Sequence, residues 1–311
     1  MRKRFLLLHN PVAGMRRHRL VRRVVHELES RGAEVVMLRL WNLGANLSRE
    51  ALAKIVHFDG FDAVIAAGGD GTVRALAKAV GDDASVPIGV IPAGTGNVLA
   101  RELPLPTTAT TVANMLLDGP VAEIPGALAG DEPFFLMAGI GFDGEIVAML
   151  NLELKRRIGK AAYVWPTLKA LMRRPRPFEL DIDGKVYEAS WAVIAKASRY
   201  AGGFVISRDA SVHTAELVAV LFQAKSRSRR LLEMLALGLS QQNRLPGVKV
   251  LSCKIVNVPD PGHAVQIDGD EAGETPVRVR LGGGNLRMIV PAGSESAAVT
   301  AARAKGRVDY A

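Results

Sequence analysis

Over its first 120 residues the chain alternates short apolar runs with amphipathic helical periods, and few architectures accommodate that pattern. The segments "RFLLL" (4–8), "AEVVMLRLW" (33–41), "DAVIAA" (62–67) and "VPIGVIP" (86–92) read as buried strands. Between the first two, Val21, Val24, Val25 and Leu28 recur at i, i+3, i+4, i+7, the spacing of one helix face. "SREALAKIVHF" (48–58), with Ser48 as N-cap, "TVRALAKAV" (72–80) and "TTATTVANMLLDG" (107–119) read as further helices. Continuous apolar strands that each feed a helix belong to a mostly parallel sheet covered on both faces.

The pattern changes near residue 120. Strands now come in pairs separated by turn residues, as in "FELDIDGKVYEASWAVIA" (178–195), "VKVLSCKIVNV" (248–258) and "VRVRLGGGNLRMIVP" (277–291). Asp183-Gly184 is a strong hairpin signal. Helical stretches interrupt the strands at about 153–173 and 226–242. A 311-residue chain with 49% hydrophobic residues has apolar mass for more than one core. The expected fold is therefore an N-terminal α/β domain, 1–122, followed by a mainly antiparallel β domain, 123–291. The alanine-rich tail, 292–311, either packs back on the first domain or is partly disordered.

Composition narrows the function classes. The single cysteine, Cys253, excludes a disulfide framework and a cysteine metal cluster, and favours a cytosolic setting. The apolar run Phe5–Leu8 is too short for a secretory segment, and no run reaches the roughly 18 apolar residues that would cross a bilayer. A net charge of +9 favours anionic partners without choosing among nucleotides, nucleic acid and an acidic membrane. Aromatic residues are only 5% and no nucleic-acid motif is present, so nucleic acid is not expected.

The chemistry concentrates in three loops. "AAGGDGT" (66–72) leaves a buried strand and opens a helix, and Gly68, Gly69 and Gly71 let backbone approach a phosphate at the helix N-terminus. Asp70 would repel that phosphate unless Mg²⁺ and its waters lay between them, so the loop reads as a polyphosphate-plus-metal site. The plain alternative is a tight turn with Asp70 or Thr72 as N-cap. A second loop, "PAGTGN" (92–97), follows the next strand and carries Gly94, Thr95 and Asn97, with Arg101 beyond it. Invoking turn chemistry twice in neighbouring loops is the weaker reading. Downstream, "IDGD" (267–270) places Asp268 and Asp270 around a glycine, with Glu271 and Glu274 nearby; the acids serve either a hairpin or general-base chemistry.

Taken together, these motifs resemble the diacylglycerol kinase-like lipid kinases, a family that includes sphingosine and bacterial phosphatidylglycerol kinases. "NPVAG" (10–14) is similar to the family's opening Asn-Pro-x-Ser-Gly, "GGDGT" (68–72) to its nucleotide loop, and "PAGTGNVLARELPLP" (92–106) to its Gly-Thr-x-Asn segment. "GIGFDGEIV" (139–147) and "RRIGKAAYVWPTLKALMRR" (156–174) resemble the lid-side strand and helix, and "IDGD" the family's Asp-Gly-Glu. The resemblance implies a cleft between the two domains, with ATP on Asn10, Gly68, Gly69, Asp70, Gly71, Thr72, Val73, Arg74, Gly94, Thr95 and Asn97. It further implies Mg²⁺ reached by Asp70 through water, and Asp270 or Asp268 as the base toward a lipid hydroxyl. The enzyme would act peripherally on the cytoplasmic face of an anionic membrane, and a homodimer is compatible with the resemblance.

Several positions depart from the family pattern. Ala13 replaces a serine, Leu40 a threonine and Val98 an aspartate, and Arg74-Ala75 stands for Asn-Glu. Thr214 and Ala215 stand where many relatives have Asp-Gly at a structural Mg²⁺ site, so that site is expected to be absent or altered. Three basic clusters offer docking to anionic lipid: Arg156, Arg157 and Lys160; Arg173, Arg174 and Arg176; and Arg227, Arg229 and Arg230. Trp165, Leu168, Leu171 and Met172 would add apolar contact; an ordinary solvated helix face is the competing reading. Rival functions are an NAD kinase- or phosphofructokinase-type enzyme with a soluble acceptor, and a degenerate kinase fold that binds lipid.

Overall fold

The computed structural model describes residues 1–9, 18–39, 60–80, 86–201 and 203–294. Asn10, Ala13, Leu40, the helix expected over 48–58 with its Ser48 cap, and the tail beyond 294 lie outside the described residues.

The chain divides into two units. The first comprises Met1–Pro125 and Gly284–Ala311. Its elements are β1 (Arg4–His9), α1 (His18–Glu29), β2 (Glu34–Arg39), β3 (Ala63–Gly68), α2 (Asp70–Val80), β4 (Ile88–Pro92), α3 (Val98–Glu102) and α4 (Ala109–Asp118). The strands lie in the order β2-β1-β3-β4 and every pair is parallel, in registers such as Leu6↔Val36, Leu7↔Ile65 and Ala66↔Val90. β3 and β4 are buried along their whole length, which is why they read as unbroken apolar runs. α1 buries Val21, Val24 and Leu28 and exposes its arginines, while Thr108 caps α4 by accepting from the Thr111 N–H.

The chain leaves this unit within β5 (Val121–Ala129). The second unit, Gly126–Gly283, contains β6 (Glu132–Phe134), β7 (Met137–Gly141), α5 (Phe142–Ala148), α6 (Leu152–Ile158) and α7 (Val164–Met172). Then come β8 (Phe178–Ile182), β9 (Lys185–Ala189), β10 (Trp191–Ala195), β11 (Arg199–Tyr200), β12 (Phe204–Val205), β13 (Leu217–Phe222) and α8 (Arg227–Gly238). β14 (Val248–Cys253), β15 (Ile255–Val258), β16 (Ala264–Ile267), β17 (Asp270–Glu274) and β18 (Val277–Ile289) complete the chain of elements.

One antiparallel sheet of this unit runs β14-β13-β10-β7-β16-β17. A second layer joins β8, β9, β15 and the first part of β18, also antiparallel. Ile140, Ile194 and Leu221 of the first sheet share one core with Leu180, Val256 and Val279 of the second. The β8–β9 hairpin turns at Asp183 (φ 49°) and Gly184 (φ 84°), the left-handed pair that a two-residue turn requires.

The last strand falls differently from the boundary at 291. From Gly284 onward β18 belongs to the first unit, where Met288 pairs in parallel with Ile88 of β4.

Candidate active site

In the first unit the strand order makes a switch point. β2 lies on one side of β1 and β3 on the other, so the chain reverses its winding there, and α/β sheets bind ligands at the carboxyl ends of such strands. The loops after β3 and β4 lie at adjacent ends. The Gly68 carbonyl accepts from the N–H groups of Ala93 (2.9 Å) and Gly94 (3.0 Å), which ties one loop to the other. A β-carbon on Gly94 would sit 2.2 Å from the Gly69 α-carbon, so the two backbones touch where only glycine fits.

Asp70 completes this junction. Its Oδ2 accepts from the Val98 N–H and its Oδ1 from the Leu99 N–H, both at 3.0 Å, so it caps α3 from across the loop. Its negative charge is thus met by backbone donors before any metal is considered. The donor chemistry still suits Mg²⁺, which takes hard oxygens and keeps much of its water: Asp70 is half-buried, and Thr95, which carries a hydroxyl, is exposed. Among the described residues, no group of three or more His, Cys, Asp or Glu side chains is placed to hold a metal.

Not every residue of the two loops faces outward. Gly71 and Thr95 are exposed, and Gly69 and Asp70 are half-buried. Thr72, Val73 and Arg74 are buried, and the N–H groups of Thr72 and Val73 both donate to the Gly69 carbonyl. The Val73 side chain is buried in the core face of α2. Asn97 adopts left-handed backbone (φ 49°, ψ 50°), and its Nδ2 donates to the carbonyls of Gly94 (2.8 Å) and Pro92 (3.3 Å). It stitches the second loop together instead of presenting its amide to solvent.

In the second unit "IDGD" is a two-residue hairpin. Ile267 pairs with Asp270, and Asp268 (φ 52°) and Gly269 (φ 88°) form the turn. The two acids have different roles. Asp268 accepts from three consecutive backbone N–H groups, Phe135 (3.1 Å), Leu136 (3.0 Å) and Met137 (2.9 Å). It fastens the turn to the strand beside it. Asp270 is exposed at the start of β17.

A buried cluster that the motifs did not single out stands behind this turn. Asp143, in the first turn of α5, accepts from the Tyr200 hydroxyl and from Gln266 Nε2 (2.7 Å), and Gln266 Oε1 accepts from the Gly269 N–H (2.7 Å). Burial pushes the Asp143 carboxyl above the usual carboxylate range, opposed by those two hydrogen bonds. Burial, reinforced by Asp143, pushes the Tyr200 phenol well up. The signal available in sequence was an aspartate inside the apolar "GIGFDG".

Around Thr214, Lys196 is fully buried and its ammonium donates to the Thr214 carbonyl, while the Thr214 hydroxyl donates to the Ser211 carbonyl (3.2 Å). Desolvation, and then Lys196, hold His213 below the usual imidazole range.

α7 and α8 carry an apolar surface. Val164, Trp165 (68% exposed), Leu168 and Met172 project from α7, whereas Leu171 is half-buried. On α8 Leu231, Leu232 and Leu235 are exposed, as is Leu239 just past its end, while Arg230 and Glu233 are each 1% exposed and Ala236 and Leu237 are buried. Arg230 donates to the Ala170 and Arg173 carbonyls at 3.2 and 3.4 Å and lies over the Phe142 ring, so it is no lipid contact. The side chains of Arg156 and Arg157 lie outside the described residues.

The family model "Diacylglycerol kinase catalytic domain" matches residues 4–127, and "YegS C-terminal NAD kinase beta sandwich-like domain" matches 137–290. The chain is 32% identical over 299 residues to a protein named diacylglycerol kinase from Mycobacterium tuberculosis, covering 91% of this chain and 94% of that one. It is 29% identical over 301 residues to a "Probable lipid kinase YegS-like" of Pseudomonas putida, covering 94% and 97%. A crystal structure of a diacylglycerol kinase from Bacillus anthracis superposes with a TM-score of 0.70 at 21% identity, over 94% of this chain and 98% of that chain. An NAD kinase from Archaeoglobus fulgidus in complex with ATP gives 0.53 at 14% identity, over 96% and 98%. At these identities the two structures speak to the fold alone.

Proposed function

The chain belongs to the diacylglycerol kinase-like family of lipid kinases, and on that premise we propose that it transfers a phosphoryl group from ATP to a hydroxyl of a diacylglycerol-like membrane lipid. The observation that carries the nucleotide half is the junction of Gly69 with Gly94 at the carboxyl ends of adjacent parallel strands. The contact sets the two loops side by side with Gly71 and Thr95 exposed, and the N-terminus of α2 favours the charge of a phosphate there. Phosphoryl transfer asks the protein mainly for positioning and charge neutralisation. Mg²⁺, when bound with the nucleotide, supplies part of that neutralisation, and Asp70 would reach it through water.

Of the two acids, Asp270 is the candidate base. Asp268 is occupied by three N–H donors, whereas Asp270 is exposed on the strand that leaves the turn. Taking the acceptor proton is worth about 10² to 10⁴ in rate, or roughly 3 to 5 kcal/mol. The lipid is met at a membrane, peripherally and on the cytoplasmic side. The exposed apolar residues of α7 and α8 support the membrane contact, together with the exposed Arg173, Arg174 and Arg227.

The test is turnover of ATP and Mg²⁺ with diacylglycerol, phosphatidylglycerol, a sphingoid base or a polyprenol in mixed micelles, beside NAD as a soluble acceptor. Phosphorylated diacylglycerol is the expected product. Transfer to NAD alone would replace the lipid reading.

A further inference from the structure

We propose that Asp143 is a positioning residue for the reaction: through Gln266 it holds the Gly269 N–H and so fixes the turn that presents Asp270. The proposal rests on the reading of Asp270 as the acid that takes the acceptor proton.

Three observations carry it. Asp143 is only 4% exposed, and both of its hydrogen-bonding partners, Tyr200 and Gln266, are neutral. A carboxylate buried among neutral donors is costly, and a position that served packing alone would be better filled by an apolar side chain. The surroundings also make room for it. A β-carbon on Gly139 would lie 1.8 Å from Asp143 Oδ2, and one on Gly144 would lie 2.1 Å from the Ala264 carbonyl oxygen, so two glycines admit the carboxylate and seat α5 on β16. Finally, Gln266 is itself buried, and its far end reaches Gly269, next to Asp270.

The hydrogen bonds have one consistent direction. The Gly269 N–H can only donate, so Gln266 turns its carbonyl toward it and its NH₂ toward Asp143, which accepts. Asparagine at 143 has one oxygen for two donors: placed on Tyr200 it leaves its NH₂ against Gln266, and placed on Gln266 it leaves its NH₂ on the Tyr200 hydroxyl, which then accepts. In the first arrangement Gln266 would turn over and set its own NH₂ against the Gly269 N–H, donor against donor; alanine at 143 removes the acceptor in either case. Glutamate at 266 restores every direction: the new asparagine would donate to one of its oxygens and the Gly269 N–H to the other. The charge moves from one side chain to its partner and the geometry is kept.

The experiment compares the full-length wild type with Asp143→Asn, and with the double variant Asp143→Asn/Gln266→Glu. It measures kcat and KM for lipid and ATP, melting, and hydrogen exchange at the Gly269 amide. In Asp143→Asn we expect kcat to fall by about 10- to 100-fold, the scale of a misplaced reacting group. The KM for ATP should stay within about twofold, and the Gly269 amide should lose protection. The double variant should regain most of both. Unchanged kcat and unchanged protection in both Asp143→Asn and Asp143→Ala, measured in the same way, overturn the proposal, as does a folded double variant that recovers neither. If Asp143→Asn does not fold, the double variant decides alone, by kcat near wild type or far below it. If the wild type phosphorylates no lipid, the reading of Asp270 fails, but protection of Gly269 in the variants still decides whether Asp143 holds the turn.

Discussion

Asp268 and Asp270 stand two positions apart in one hairpin, and Asp268 is half-buried where Asp270 is exposed. Asparagine suits tight turns, so from sequence the two Asp→Asn changes look equally mild for the fold. The structure separates them, because Asp268 accepts from the N–H groups of residues 135–137, more than 130 positions away. An amide there keeps one acceptor and turns an NH₂ toward backbone donors. Asp268→Asn is therefore expected to destabilise the protein by about 1–3 kcal/mol, the cost of an unsatisfied buried group, with turnover falling in step with the folded fraction. Asp270→Asn should melt like the wild type and bind ATP, while lipid turnover falls by about two to four decades. Melting curves beside single-turnover kinetics check both; near wild-type turnover in Asp270→Asn would remove it as the base. The turn itself was legible in "IDGD", but the partner of Asp268 was not, since no local pattern records a contact of that sequence separation.

Among the elements, both glycine loops and their place at strand ends could be read from "GGDG" and "AGTGN". That they touch could not, and this contact reassigns several residues. With Gly69 against Gly94 and Asp70 capping α3, Asn97 becomes a stitch within the loop and Val73 part of the core. The periodicity of α2 already pointed Val73 inward, but a motif treated as a string overrides the helix phase that begins inside it. The contact also ranks two substitutions. A β-carbon on Gly94 would lie 2.2 Å from the Gly69 α-carbon, whereas one on Gly69 would lie 3.1 Å from the Gly94 α-carbon. Backbone on both sides leaves no flexible side chain to yield at Gly94. Gly94→Ala should cost about 1–3 kcal/mol by overpacking and abolish ATP binding by prising the loops apart. Gly69→Ala should melt closer to wild type and weaken ATP binding less. Calorimetry of ATP binding with thermal melts decides the order, and equal behaviour of the two variants would mean that the junction is not what shapes the site.

For the whole molecule, the change from strand–helix alternation to paired strands was visible in sequence, while the return of β18 to the first unit was not. Residues 277–281 alternate, Gly282–Gly284 follow, and Met288–Val290 are continuously apolar, and this pattern does not name β15 and β4 as the successive partners. The same limit applied to the +9 charge, which favours an anionic partner without locating a surface. An exposed apolar surface stands on α8, where Arg230 and Glu233 are buried together with Ala236 and Leu237, and Leu231, Leu232 and Leu235 face outward; on the proposed function it is the candidate membrane contact. Leu239 is 74% exposed and Leu235 54%, so serine at both should leave stability within about 0.5 kcal/mol. Inserted in a bilayer interface, each leucine can gain up to about 1.5–3 kcal/mol, so losing two should weaken vesicle binding tenfold or more. Binding of the wild type to anionic vesicles should have two parts. The electrostatic part fades as salt rises, because exposed charges are screened over about 10 Å at 0.1 M. The apolar part persists at high salt and is the part that Leu235→Ser/Leu239→Ser removes. Co-sedimentation of wild type and variant with neutral and anionic vesicles, at low and high salt, measures both; a variant that binds as tightly as wild type at high salt would show that α8 faces something other than lipid.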